Sequence, residues 1–177
     1  MDWATLSTTG VMVVMVLVAV ITDVRTGKIH NALTLPAAII GIILNGVFNG
    51  LDGISASLLG LAAGFAVFIF SSIFGRILGG GDIKLLMAVG ALQGPGFLLW
   101  TLIYTAIAGG VIAVAMTLWR RDLGGTMRRL WAGLSMRIFA RVPIDVGESP
   151  AGIRLPYAIP IAMGSVIAFC ALHFLPT

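Results

Sequence analysis

Six apolar stretches follow one another along the chain, and they constrain its fold more than any other feature. They run at about Leu6 to Thr22, Leu33 to Phe48, Ser55 to Leu78, Leu85 to Leu92, Phe97 to Trp119 and Leu155 to Leu175. A membrane-spanning helix needs about 20 mainly apolar residues, and only 10% of the residues here are charged, against about 25% in soluble domains. With a mean hydropathy of +1.07, the sequence predicts an all-α, polytopic membrane protein with about six transmembrane helices. We expect these helices to form one domain over residues 1–177.

The fourth stretch is shorter than a membrane span. Leu85 to Leu92 provides only eight residues, although Lys84 can extend its charge toward the membrane surface and so lengthen the helix. We therefore expect a short helix surrounded by protein at this position.

The basic residues sort onto one side of the membrane when all six stretches are counted. If the N-terminus lies outside, residues 23–32, 75–84 and 120–154 lie inside, and these ranges hold all eleven lysines and arginines. The positive-inside rule therefore predicts that both termini lie outside. Because this topology explains the net charge of +4, we expect no nucleic-acid partner.

The segment at about 120–154 is predicted to be a basic, amphipathic cytoplasmic loop. Between Arg120 and Arg141, arginines alternate at helical spacing with apolar residues, which are Leu130, Trp131, Leu134, Ile138 and Phe139. This pattern is typical of a helix that lies in the membrane interface. Such a helix would anchor the loop to anionic lipid or dock a substrate.

Two aspartates lie at the ends of apolar stretches. Asp23 follows the first stretch, and Asp82 follows three glycines after the third. Carboxylates at membrane level are costly and are functional candidates by default. Two that approach closely share a proton, which is the arrangement that an aspartic protease uses. The structural alternative is that the glycines end one helix, Asp82 caps the next, and Asp23 is an ordinary charge beside Arg25.

Three short motifs resemble those of type IV prepilin peptidases. Residues 79–86, GGGDIKLL, resemble the GxGD motif and its following lysine. Asp23 to Asn31 resembles the family's D-x-R…I-P-N stretch after the first span, and residues 154–160, RLPYAIP, resemble the R-x-P-Y-x-P segment that opens the last span. The residues expected to bind the substrate or support these motifs are Gly79, Gly80, Gly81, Lys84, Arg25, Asn31, Arg154, Pro156 and Tyr157.

The resemblance implies an aspartic endopeptidase with Asp23 and Asp82 as its catalytic pair. Members of this family cleave the leaders of prepilins or pseudopilins after a glycine, at the cytoplasmic face of the bacterial inner membrane. The expected partners are therefore the prepilin or pseudopilin and the lipid membrane. No cofactor is implied, and the sequence has no His/Cys/carboxylate cluster with metal-ligand spacing.

The chain departs from the family pattern at two points. His30 occupies the position of the usual proline, and the single cysteine, Cys170, excludes the paired CxxC motifs associated with N-methylation of the trimmed pilin. The chain thus resembles the short form that serves tight-adherence (Flp) pili, and we expect no methyltransferase activity.

Two other functions are open to a chain with this pattern. One is a small proton-coupled transporter or channel that uses the aspartates as a relay. The other is an inactive assembly subunit that keeps the fold. Both carboxylates lie at one membrane edge, and no inverted repeat is apparent, which favours the peptidase over the transporter.

Overall fold

Four α-helices make up the regular structure of the residues described by the computed structural model, which are 2–73, 78–119 and 157–174. They are α1 (Trp3–Thr26), α2 (Asn31–Ile73), α3 (Gly80–Trp119) and α4 (Ala158–Phe174). Three of them contain stretches long and apolar enough to cross a membrane, and α4 contains a shorter apolar one. The predicted all-α fold is confirmed. The basic loop at about 120–154, with Arg154 and Pro156, lies outside the described residues.

Both long helices are broken at a glycine in a left-handed conformation. Gly50 in α2 has φ 63° and ψ −141°, and Gly94 in α3 has φ 84° and ψ 172°. Glycine adopts such angles because it has no Cβ. The two breaks fall within the short links, residues 49–53 and 93–96, that the sequence placed between apolar stretches.

At each break the chain turns back on itself. A continuous helix would separate Asn45 and Ser57 by about 18 Å, yet the Asn45 side-chain amide donates to the Ser57 hydroxyl at 2.9 Å. In α3, a Cβ on Gly90 would lie 3.0 Å from the Leu98 side chain, eight residues further along. Each long helix is therefore a hairpin of two arms, residues 31–49 and 51–73 in α2, and residues 80–93 and 95–119 in α3.

The first arm of α3 lies at the centre of the bundle. Its apolar side chains are almost completely covered by protein, with exposures of 1% or less for Leu85, Leu86, Ala88, Val89, Ala91 and Leu92. At 1.5 Å per residue, this arm is only about 20 Å long. The short apolar stretch was predicted to be surrounded by protein, and its burial confirms this.

Glycines bring the second arm of α2 into backbone contact with this central arm. A Cβ on Gly60 would collide with the carbonyl oxygen of Gly90, and one on Gly64 would lie 2.6 Å from the Cα of Met87. Glycines at four-residue spacing allow such close packing between membrane helices. The two arms are therefore held together without intervening side chains.

Polar contacts fix the two ends of the bundle. At the end that contains the two glycine breaks, Gln93 donates to the Thr9 hydroxyl at 2.9 Å, so α3 is tied to α1. At the opposite end, the last turn of α1 lies beside the first turns of α2, α3 and α4. Asp23 and Asp82 both lie at this second end.

Candidate active site

Asp23 lies in the last turn of α1, where two backbone contacts fix its position. The helix ends because Gly27 is left-handed, with φ 64°, and its N–H donates to the Asp23 carbonyl at 2.8 Å. The Asp23 side chain accepts a hydrogen bond at Oδ2 from the N–H of Ala158, at 3.1 Å. Ala158 is the first residue of α4, so the partial positive charge of a helix N-terminus lies beside this carboxyl.

Asp82 lies in the first turn of α3 and is only 8% exposed. Its Oδ2 accepts a hydrogen bond at 3.2 Å from the N–H of Gly79, the residue just before the helix. A side chain that reaches back to the N-cap amide forms one half of a capping box. The predicted structural role is therefore present, since Asp82 does cap its own helix.

The two carboxyls come from different helices and lie at the same end of the bundle. Among residues 2–73, 78–119 and 157–174, hydrogen bonds reach only the Oδ2 atom of each. An aspartate carboxylate has two oxygens and about four lone pairs. Within these ranges each carboxyl thus has one oxygen without a hydrogen-bond partner, and helix capping by itself does not exclude acid–base chemistry.

The three glycines before Asp82 allow close packing of neighbouring groups rather than a bend in the helix backbone. Gly80 and Gly81 are helical, and none of the three has a positive φ. A Cβ on Gly79 would lie 2.9 Å from the Asp82 Oδ2, and one on Gly81 would lie 3.0 Å from the Cβ of Ile29. Small residues are needed at these two positions because the carboxyl and the α1–α2 link lie so close.

Asn31 and Lys84 meet beside the pair, whereas Arg25 does not join them. The Lys84 ammonium donates to the Asn31 side-chain oxygen at 2.8 Å, across 53 residues of sequence. Arg25 is exposed in the last turn of α1. The Asp23–Asn31 stretch and the GxGD motif are thus joined directly, through Asn31 and Lys84.

Tyr157 and His30 lie at helix starts. The Tyr157 carbonyl accepts a hydrogen bond from the N–H of Ile161 at 3.3 Å, in the first turn of α4. The carbonyl of His30 accepts from Leu33 at 3.0 Å and so begins α2, and the His30 side chain is exposed. Arg154 and Pro156 lie outside the described residues, so their predicted roles stay predictions.

Sequence reasoning missed the backbone amide of Ala158. Its contact with Asp23 joins residues 135 positions apart, and no side-chain chemistry signals it. Ala158 is also fully buried. The only available signal was its place just after the Pro156–Tyr157 pair, where a helix start was expected.

Over the described part of the chain, no three His, Cys, Asp or Glu side chains are grouped so that they could hold a metal ion.

Comparison with known proteins gives one match that covers both aspartates. The family model described as the type IV leader peptidase family matches residues 10–114. Searches of curated proteins and of solved structures gave no match. The match includes most of α1, all of α2 and most of α3, more than half of the chain. It supports a peptidase and gives no support to a transporter. The chain therefore belongs to the type IV leader peptidase family.

Proposed function

We propose that this protein is an aspartic endopeptidase that cleaves the leader peptides of type IV prepilins or pseudopilins after a glycine. Asp23 and Asp82 form its catalytic pair. The observation that carries this proposal is their arrangement, in which two carboxyls from separate helices lie at one end of the bundle, each held through one oxygen by a backbone N–H. The family membership supports peptide hydrolysis as the reaction.

The proposed mechanism needs the pair to carry one proton. The ionised carboxyl takes a proton from water as the water oxygen attacks the scissile carbonyl carbon. The protonated carboxyl donates a hydrogen bond to the oxygen on which negative charge develops. Collapse of the tetrahedral intermediate breaks the C–N bond, and the proton taken from water passes to the leaving amine. No metal or cofactor takes part in this scheme.

The proposed topology has six spans, with the N-terminus outside and the active site at the cytoplasmic face of the bacterial inner membrane. The hairpin breaks at Gly50 and Gly94 support six helical segments. The charge pattern supports the orientation, since all eleven basic residues would then lie on the cytoplasmic side. The lipid membrane and the prepilin are the proposed partners, and the lack of paired CxxC motifs supports a peptidase without methyltransferase activity.

The test is cleavage of a co-expressed prepilin by variants that remove one acid at a time. Asp23→Asn and Asp82→Asn keep the side-chain size but lose the titrating group, so we expect cleavage to fall by about 100- to 10,000-fold or more. Asp52→Asn is the matched control, because Asp52 is exposed near the break of α2, at the other end of the bundle. It should cleave like the wild type.

Immunoblots of membranes separate precursor from mature pilin and also report the amount of each variant. Normal processing by a stably expressed Asp23→Asn or Asp82→Asn protein would refute the catalytic pair. Equal loss in the Asp52→Asn protein would show that the substitutions act through folding instead.

A further inference from the structure

Lys84 links the two segments that carry the catalytic pair. It lies two residues after Asp82, and its ammonium donates to the Asn31 side-chain oxygen at 2.8 Å. Asn31 is the first residue of α2. It directly follows the short link that joins α2 to α1, the helix that carries Asp23. One hydrogen bond therefore spans from the start of α3 to the end of the α1–α2 link.

An apolar contact lies beside this hydrogen bond. Ile29 in the same link packs against Gly81 so closely that a Cβ there would lie 3.0 Å from the Ile29 Cβ. The link is therefore fixed to the first turn of α3 at two points, Ile29 and Asn31. Because Asp23 lies just before the link and Asp82 lies in that first turn, these contacts join the two segments that carry the carboxyls.

The direction of Lys84 argues against a direct effect of its charge on the pair. Residues two apart on a helix do not face each other, and Lys84 is exposed whereas Asp82 is buried. Its ammonium is already engaged by Asn31. Lys84 can therefore act on the carboxyls through the position of the link.

We propose that Lys84 is a positioning residue, which through Asn31 holds the end of α1 against the start of α3 and fixes the geometry of the Asp23–Asp82 pair. This inference rests on the proposed function of that pair. A positioning role requires Asn31. A role of Lys84 in charge balance, or as a marker of the membrane boundary, would not require it.

A double-mutant cycle distinguishes these roles. Lys84→Met and Asn31→Ala should each lower kcat by about 10- to 100-fold with little change in KM, since a misplacement of about 1 Å at an active site can cost about 100-fold. The double variant should be no slower than the slower single variant, because the two changes remove one contact. Lys84→Arg should recover much of the rate, since its guanidinium can still donate to the amide.

Lys28 provides the matched control. It is exposed in the same link, and its ammonium makes no hydrogen bond to any residue that the structure describes. Lys28→Met should leave kcat and KM unchanged. The unfolding midpoints of all variants should match that of the wild type to within a small shift, which separates misplacement of the pair from loss of fold. Losses that multiply in the double variant would overturn the proposal.

A second measurement needs no catalysis. Lys28 and Lys84 are the only lysines in the chain, so limited acetylation followed by mass spectrometry compares them within one protein. Lys84 should react several-fold more slowly than Lys28, and Asn31→Ala should bring the two rates together. Equal rates in a wild type that cleaves prepilin would overturn the Lys84 proposal alone. A folded wild type that cleaves no prepilin would overturn the proposed function, even if Lys84 is protected.

Discussion

Asn45 should be the strongest polar contributor to the stability of the bundle. Its side-chain amide donates hydrogen bonds to carbonyls that lose their helical partners at the break in α3. Pro95 has no N–H, so the carbonyl of Ala91 loses the partner that a continuous helix would supply. The Asn45 amide lies 3.4 Å from that oxygen and 3.1 Å from the carbonyl oxygen of Leu92. It also contacts the Ser57 hydroxyl at 2.9 Å.

The expected magnitude follows from the number of hydrogens that the amide can donate. Asn45 has two N–H groups for its several acceptors, so it makes about two hydrogen bonds at a time. Side-chain hydrogen bonds between membrane helices average about 0.6 kcal/mol and reach about 1.7 kcal/mol. Asn45→Leu, which keeps the branched outline of the side chain and removes the donors, should therefore lower the free energy of unfolding by about 1–3 kcal/mol.

The assay is equilibrium unfolding of the purified protein in mixed micelles with increasing denaturing detergent, followed by circular dichroism. Asn49→Leu is the control, because Asn49 is an exposed residue one turn further along the same arm. Its effect should stay within about 0.5 kcal/mol. The reasoning would be refuted if Asn45→Leu destabilised the protein no more than Asn49→Leu. Since Asn45 lies at the end away from the carboxyls, the folded Asn45→Leu protein should keep its cleavage rate.

The same unfolding assay tests two further sites. Gly60→Ala should cost about 1–3 kcal/mol, because its new Cβ would collide with the carbonyl of Gly90; Gly110→Ala, in open space on a helix, should instead stabilise by up to about 1 kcal/mol. Thr101→Val should leave stability unchanged or raise it by about 1 kcal/mol, since the Thr101 hydroxyl is buried without a partner among the described residues. Thr8→Val should be destabilising by comparison, because the Thr8 hydroxyl donates to a backbone carbonyl at 3.1 Å. A larger loss for Thr101→Val than for Thr8→Val would contradict this account.

The apolar stretches predicted the helices well because burial in lipid or protein is a property of local composition. The first stretch, Leu6 to Thr22, lies inside α1, which continues to Thr26. The helix extends past the apolar residues because its end is set by backbone geometry at Gly27 and not by hydropathy. The positions of the glycine breaks could likewise be predicted from the sequence. Placing all basic residues on one side of the membrane requires short links at those positions.

The contacts that hold the candidate site were much harder to predict. The sequence placed Asp23 and Asp82 at one depth, but it gave no sign that Ala158 would hydrogen-bond to Asp23 or that Lys84 would reach Asn31. These partners are distant in sequence, and neither the amide of an alanine nor an exposed lysine has a pattern that specifies its partner. Only the packing of α1, α2, α3 and α4 brings them together.

The two aspartates are positioned in different ways. This difference determines how each can be recognised from the sequence. Asp82 is held by the amide of Gly79, three residues away, so its geometry is carried by the short motif itself. Asp23 is held by the amide of Ala158, 135 residues away, and the link that follows it contacts α3 through Ile29 and Asn31. A GxGD segment alone can therefore place one carboxyl, but the second needs the correct order of all three motifs. The pair is a property of the whole bundle, which is why the three motifs together are more specific than any one of them.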